Sequence, residues 1–314
     1  MQSDFPTARG LQAPFASRLT AALTFITLAC AVALPASAAT LDRIKETGRI
    51  KLGYLADARP FTSRSEGGAV EGYSAALCGQ VVERVKTQLS LPHLAVEWVP
   101  VGIQDHLRQV QQGNVDLLCV PAAVTLGRRE EVSFSIPVFP GGMRAVLRAD
   151  APQQLRDALS EKPSPNPVWR GSPAAKVLEK TTFVVVPGMT TEQWLARTAK
   201  KLQIDAKIVT APDYRSALQQ LQQHKADVFF GDRAVVLGAL NPEQRKDFLV
   251  LDRRLTHEAA ALALARGDDD FGLVVDRTLS QMYESPSFGD LYRKWFGDFD
   301  DGARTFFQWV TLPP

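Results

Sequence analysis

The chain has 314 residues, 36 of them basic and 34 acidic, for a formal net charge of +2 at pH 7, with 45% hydrophobic residues and three cysteines. A balance this close to neutral gives no reason to expect nucleic acid or an anionic membrane as a partner. The length allows one large or two modest domains, each able to bury a core.

The first 38 residues read as a leader. In "ASRLTAALTFITLACAVALPASAAT" Arg18 precedes an almost uncharged apolar run, and Ala36-Ser37-Ala38 is a small-x-small cleavage signature. The run is too short and wrongly flanked for a spanning helix. "TLAC" weakly resembles a lipoprotein box, but the apolar run continues past Cys30, so cleavage after Ala38 is expected rather than an anchor at Cys30. Removing Arg9, Arg18 and Asp4 with the leader leaves 34 basic against 33 acidic residues. No later run of about eighteen apolar residues follows, which predicts a soluble mature protein. That protein keeps Cys78 and Cys119. In an oxidising compartment two cysteines pair more often than not, closing a loop of about 42 residues worth about 4 kcal/mol. Two inert buried thiols are the alternative.

In chain order, "TLDRIKETGRIKLGY" reads as a short amphipathic helix stopped at Gly48 and running into a strand. "SEGGAVEGYS" is a glycine-rich turn, and "SAALCGQVVERVKTQL" carries Leu77, Val81, Val82, Val85 and Leu89 at helical spacing. "LAVEWVPV" alternates as a strand, "GIQDHLRQVQQG" is a helix ended by Gly113, and "VDLLCV" is a continuous apolar strand of the doubly covered, parallel kind. A second set follows. "TTFVVVPGMTTEQWLARTAKKL" gives strand, turn and helix; "AKIVTAPDYRSALQQLQQHKADVFFGDRAVVLGAL" gives strand, helix, strand and helix. Between the sets "EKPSPNPVWRGSPA", with four prolines, reads as a loop on the second lobe, and the end of the chain reads as two aromatic-rich helices around Pro286. The rhythm predicts an α/β protein of two similar lobes, each with a mostly parallel sheet flanked by helices, and a closing helical tail.

No G-x-x-x-x-G-K-S/T, H-E-x-x-H, G-x-S-x-G or C-x-x-C is present, and His93, His106, His224 and His257 lack metal-ligand spacing. Nothing argues for a reaction, a metal or a cofactor. What the chain offers is polar groups at the C-terminal ends of strands, where open α/β sheets bind ligands. "PAAVTLGR", read as a turn after the Val115–Val120 strand, carries Arg128, whose guanidinium can grip a carboxylate. "PGMTTE" offers Thr190 and Thr191 at a helix start, suited to an anion, and "FFGD" ends a strand in Asp232, suited to an ammonium. Each has a plainer reading, as a surface ion pair or a helix cap. Taken together, the three describe an amino-acid site.

The chain also resembles the periplasmic amino-acid-binding proteins of ABC transporters, solute-binding family 3, and especially their glutamate/aspartate branch. The resemblance rests on "LDRIKETGRIKLGY", "RPFTS", "VEGYSAALCGQVVERVK", "GNVDLLC", "TLGRREEVSFSIPVF", "GMTTE", "ADVFFGD" and "DLYRKWF", and covers nearly all of the mature chain. It implies a hinged, two-lobed periplasmic-binding-protein fold (type II-like) whose cleft closes on one ligand. The implied division is 1–38 leader, 39–146 first lobe, 147–257 second lobe, and 258–314 a return to the first lobe with the tail. It implies that Arg128 holds the ligand α-carboxylate, that Thr190 contacts it, and that Asp232 receives the α-ammonium. Phe61, in "RPFTS", and Thr191 join them. It places Cys78 and Cys119 in the branch's disulfide, from a helix to the neighbouring strand.

The departures bear on the ligand. Pro121, Ala122 and Ala123 stand where the family has Ser or Thr, and Leu55 and His106 stand where the branch has its two side-chain arginines. If the ligand keeps a second carboxylate, His106 is the expected cation, and acidic ligands should bind more tightly as pH falls from about 8 to about 6. Arg59 and Arg144 are the alternatives. The implied function is capture of an amino acid, glutamate- or aspartate-like, by a monomer serving an ABC permease. An orphan binding protein that senses its ligand is a second reading. A cleft dehydratase is a third, for which only Asp232 and His106 offer acid/base groups.

Overall fold

The computed structural model describes residues 40–160 and 171–314. The expected leader, 1–38, and residues 161–170 of the proline-rich segment lie outside the described residues. Among the described residues no helix is long and apolar enough to cross a membrane.

After helix α1 (Thr40–Thr47), strand β1 (Arg49–Tyr54) enters the first sheet, and β2 (Asp57–Ala58), β3 (Thr62–Arg64) and β4 (Val70–Glu71) make a small antiparallel sheet beside it. Helix α2 (Tyr73–Leu89), β5 (Ala95–Pro100), α3 (His106–Gln111), β6 (Leu117–Ala123), the single-turn α4 (Leu126–Arg129) and β7 (Ser133–Gly141) follow. The second sheet is built from β8 (Met143–Arg148), β9 (Thr182–Val185), β10 (Lys207–Thr210), β11 (Val228–Asp232) and β12 (Phe248–Val250). Its helices are α5 (Gln153–Leu159), α6 (Pro173–Glu179), α7 (Thr190–Leu202), α8 (Tyr214–Gln222) and α9 (Arg233–Ala239). The chain then returns through β13 (Glu258–Leu264) and ends in α10 (Asp269–Glu284), α11 (Phe288–Phe296) and α12 (Asp301–Val310).

The strand orders are β5-β1-β6-β13-β7 and β10-β9-β11-β8-β12. Each sheet has a parallel trio built by strand–helix–strand units, as the apolar runs predict. Each also holds antiparallel strands: β13 runs against β6 and β7, and β8 runs against β11 and β12. These strands lie where the chain changes sheets, so no crossover helix is needed to turn them. Apolar side chains cover both faces. Ile44, Leu52, Leu77, Val81, Val85 and Phe271 fill one side of the first sheet, and Val110, Val115 and Leu118 the other. Each such buried side chain contributes about 1.5–3 kcal/mol of transfer free energy.

Four expectations need correction. The segment read as a turn from Pro121 is strand: β6 runs on to Ala123, with Ala122 and Ala123 paired to Ala261 and Ala260. Proline is tolerated there because the β6–β13 register shifts between Ala261 and Ala263, so the missing N–H falls at an irregularity. The crossing to the second sheet is at Gly142, so all of β8 lies there, including residues before 147 that were expected in the first lobe. Pro173 and Ala174, read as loop, open α6 behind a Ser172 cap that accepts from the Ala175 N–H at 3.1 Å. A third tail helix, α12, was not expected; Asp300 caps it, accepting from the Ala303 N–H at 2.7 Å.

The two crossings lie side by side. Met143 N–H donates to Thr256 Oγ1 at 3.0 Å, and Leu255 N–H donates to the Met143 carbonyl at 2.8 Å. A Cβ on Gly142 would sit 2.5 Å from the Thr256 carbonyl, so only glycine permits this approach.

Cys78, in α2, and Cys119, in β6, form a disulfide with Cα atoms 6.1 Å apart, and both residues are fully buried. The bridge staples α2 onto the central strand of the first sheet. Protein recovered from an oxidising compartment is expected to show no alkylatable thiol before reduction, and reduction is expected to lower unfolding free energy by up to about 4 kcal/mol in denaturant titrations. Two free thiols in the native protein would contradict the bridge.

Candidate functional site

A cavity of about 350 Å³ lies between the two sheets, and all eight ligand-site residues named from the sequence line it: Leu55, Phe61, His106, Ala123, Arg128, Thr190, Thr191 and Asp232. They arrive from both sheets. Arg128 lies in α4, whose first turn is capped by Thr125 Oγ1 accepting from the Arg128 N–H at 3.2 Å. Its guanidinium donates through Nη1 to the Ala123 carbonyl at 3.0 Å and through Nη2 to the Gly188 carbonyl, across the cleft, at 3.1 Å. A guanidinium has five N–H donors, so three remain for a ligand. Burial lowers its pKa, while the Glu258 carboxylate supports the cation.

Thr190 is the first residue of α7, not its cap. Met189 occupies the N-cap and offers no side-chain acceptor. Neither the Thr190 nor the Thr191 N–H finds a backbone acceptor among the described residues, so the helix start presents free donors and the positive end of its dipole to the cavity. Thr190 Oγ1 donates to Glu258 Oε2 at 3.0 Å, a second bond across the cleft. A third is on the rim, where Arg215 of α8 grips Asp57 of β2 with two bonds of 2.9 Å. The lobes are therefore closed on each other.

Asp232 ends β11 and caps α9. Its Oδ1 accepts from the Ala234 N–H at 2.8 Å and its Oδ2 from the Gly142 N–H at 3.2 Å. Burial raises its pKa, against which the Ala234 and Gly142 N–H groups and the Arg254 charge favour the carboxylate. Its helix-capping role is real, and the same carboxylate still lines the cavity.

The sequence reading missed Glu258, Tyr214, Met189 and Asp57 in the lining. Glu258 opens β13, and "EAAALAL" has too little β-branched character to announce a strand end. Tyr214 opens α8, with its ring edge-on to Phe229 at 5.2 Å; burial raises its pKa, with Asp232 adding to the rise. The rest of the wall is apolar. Phe61 and Phe139 meet at 5.0 Å, backed by Phe296 of α11 at 4.8 Å from Phe139.

His106 lines the cavity but is not a cation. Burial first, then the Arg128 charge, lowers its pKa to about 4, although Nδ1 sits 2.6 Å from the Ile103 carbonyl. The two alternative cations do not line the cavity either. Arg59 pairs with Glu71 at 3.0 Å, and Arg144 lines a different groove. Among the described residues Arg128 is the one positive charge in the lining, and no cluster of His, Cys, Asp and Glu is arranged to hold a metal.

Two five-stranded sheets joined by paired crossings, with Arg128 and Asp232 lining the cleft between them, form a two-lobed solute-binding architecture. The chain belongs to the bacterial extracellular solute-binding proteins, family 3, whose model matches residues 50–298. It is 29% identical over 282 residues to an L-glutamate/L-aspartate-binding protein of Pseudomonas aeruginosa, covering 89% of this chain and 87% of that protein. It is 25% identical to the glutamate/aspartate import solute-binding protein of Escherichia coli (strain K12), covering 84% and 82%. Among solved structures it is similar to the ancestral amino acid-binding protein AncCDT-1, a precursor of cyclohexadienyl dehydratase, with a TM-score of 0.65, 25% identity, and 82% and 100% of the two chains covered.

The lowered His106 pKa has consequences for stability. Unfolded, the imidazole takes up its proton near pH 6.5; folded, near 4. Between these values the unfolded chain holds more protons, so this group's contribution is full above about 6.5 and is lost as pH falls toward 4, by up to about 3 kcal/mol. Unfolding titrations of His106→Gln are expected to show a correspondingly shallower loss over that window than the wild type. An unchanged slope would mean that His106 titrates normally.

Proposed function

We propose that this protein captures an α-amino acid with an uncharged side chain in the cleft and delivers it to the membrane permease of an ABC importer. The observation that carries this reading is the convergence of Arg128, the uncapped start of α7 and Asp232 on one cavity in which Arg128 is the lone cation among the described residues. The α-carboxylate lies between the guanidinium and the Thr190 and Thr191 N–H groups, and the α-ammonium faces Asp232 and Glu258. The side chain points toward Leu55, Phe61, Ile103, Val120 and Phe139, which form the apolar part of the wall.

The named relatives in Pseudomonas and Escherichia are glutamate/aspartate binders. Here a second carboxylate would meet Leu55, a neutral His106 and Glu258. Leaving a charge unpaired beside a like charge costs several kcal/mol. Residues 1–38 serve as a cleaved leader that sends the protein to the periplasm, and the lobes divide at the two crossings. The protein acts as a binder and not as an enzyme, so a bound amino acid is expected to be recovered chemically unchanged.

Calorimetry against a panel of amino acids tests the ligand. Neutral amino acids are expected to bind at least about tenfold more tightly than glutamate or aspartate, with little change between pH 6 and 8, since His106 stays neutral over that range. Tight glutamate binding would overturn the uncharged-side-chain reading. Arg128→Ala is expected to raise Kd at least about thirtyfold, because removing one partner of a buried charge pair costs about 2–5 kcal/mol. Circular dichroism serves as the folding control. Retained affinity would remove Arg128 from the site.

A further inference from the structure

Behind the cleft, on the side of the two crossings, lies a second groove of about 930 Å³. Arg144 of β8, Arg233 of α9, Arg245, and Arg254 from the second crossing line one part of it, and Trp295 of α11 and Trp309 of α12 another. Two acids also line it, each holding backbone N–H groups. Asp232 accepts from Ala234 and Gly142, and Asp300 accepts from Ala303. Arg144 and Arg245 spend bonds on backbone carbonyls, of Asp252 and Leu237 respectively. Arg233 and Arg254 have neither a hydrogen bond nor an ion pair among the described residues, and both are exposed.

Four guanidinium groups gathered in one concavity repel one another, offset in part by Asp232 and Asp252. Burial lowers the Arg144 pKa first, and the Arg254 and Arg233 charges lower it further. The protein as a whole carries only +2, so the cluster is not a by-product of a basic surface. Trp309, also in the lining, is 83% exposed, so its ring face is open to a ligand.

We propose that this groove is a second binding site, for a small oxyanion with at least two negative charges on an aromatic body. The charges lie on Arg233 and Arg254, and the ring lies against Trp295 and Trp309. Arginine suits both parts, since its planar fork matches phosphate and carboxylate oxygens and its face stacks on rings. The groove shares Phe139, Gly142 and Asp232 with the cleft lining but takes its cations from elsewhere, so the site stands or falls independently of the amino-acid reading.

Calorimetry with phenyl phosphate, inorganic phosphate and benzoate at low ionic strength tests it. Phenyl phosphate is expected to bind saturably and at least about tenfold more tightly than benzoate, because its second negative charge adds charge-assisted bonds to a second guanidinium that the single charge of benzoate does not supply. The Arg233→Ala/Arg254→Ala double variant is expected to weaken phenyl phosphate at least about tenfold. Trp309→Ala, a change on an exposed ring, is expected to weaken phenyl phosphate but not inorganic phosphate. The Arg128→Ala variant is expected to retain phenyl phosphate binding, which assigns it to the groove and not to the cleft. No saturable binding, affinity equal to that of benzoate, or affinity unchanged in the folded double variant would each overturn the proposal.

Discussion

The enclosed carboxylate of Asp232 is the point on which the rest of the structure turns. One oxygen caps α9 and the other holds the Gly142 N–H, where the chain leaves the first sheet for the second. A buried carboxylate without donors is costly, so the capped helix start, the glycine crossing and the end of β11 are constrained together. The crossing in turn needs glycine, because the Thr256 carbonyl of the returning chain occupies the space where a side chain would begin. Strand end, helix start and hinge therefore share one set of hydrogen bonds, and the group that holds them also faces the cleft.

Closure combines apolar and polar contacts: Ile103 packs on the second sheet's core, and Ala234 and Val235 on the first's. Arg128 to the Gly188 carbonyl, Thr190 to Glu258 and Arg215 to Asp57 join the lobes at three places. The rim pair is well exposed and contributes at most about 1 kcal/mol, so it steadies closure without locking it. Under the proposed function, a ligand that adds bonds to Arg128 and the α7 start decides the balance between open and closed states. Half-buried, Arg128 spends its hydrogen bonds on the Ala123 and Gly188 carbonyls and pairs with no carboxylate among the described residues.

The electrostatic character of the cavity follows from depth as much as from residue type. An imidazole at the surface would titrate near neutrality, whereas His106, buried beside Arg128, stays neutral to about pH 4. The position that offered a replacement cation by residue type is therefore an uncharged wall. Arg59 and Arg144 are cations, but the fold turns them toward Glu71 and toward the groove behind the hinge.

Much was legible in the chain itself. The apolar runs at 115–120, 183–186 and 228–230 marked central strands, because a strand covered on both faces must be apolar throughout. The polar residues at their ends, Arg128, Thr190 and Asp232, were located by the same rule, since parallel sheets present those ends together. Cys78 and Cys119 were readable as a pair once export was inferred. Other features had no local signal. The alanine-rich β13 is held by its neighbours and not by propensity, so Glu258 stayed hidden at its start. Pro121 argued for a turn, and only the irregular pairing with β13 makes it strand. Residue types, spacing and compartment signals belong to the sequence. Which strand runs antiparallel, which side a guanidinium faces and whether a histidine is charged depend on contacts between residues far apart in the chain, and only the tertiary structure decides them.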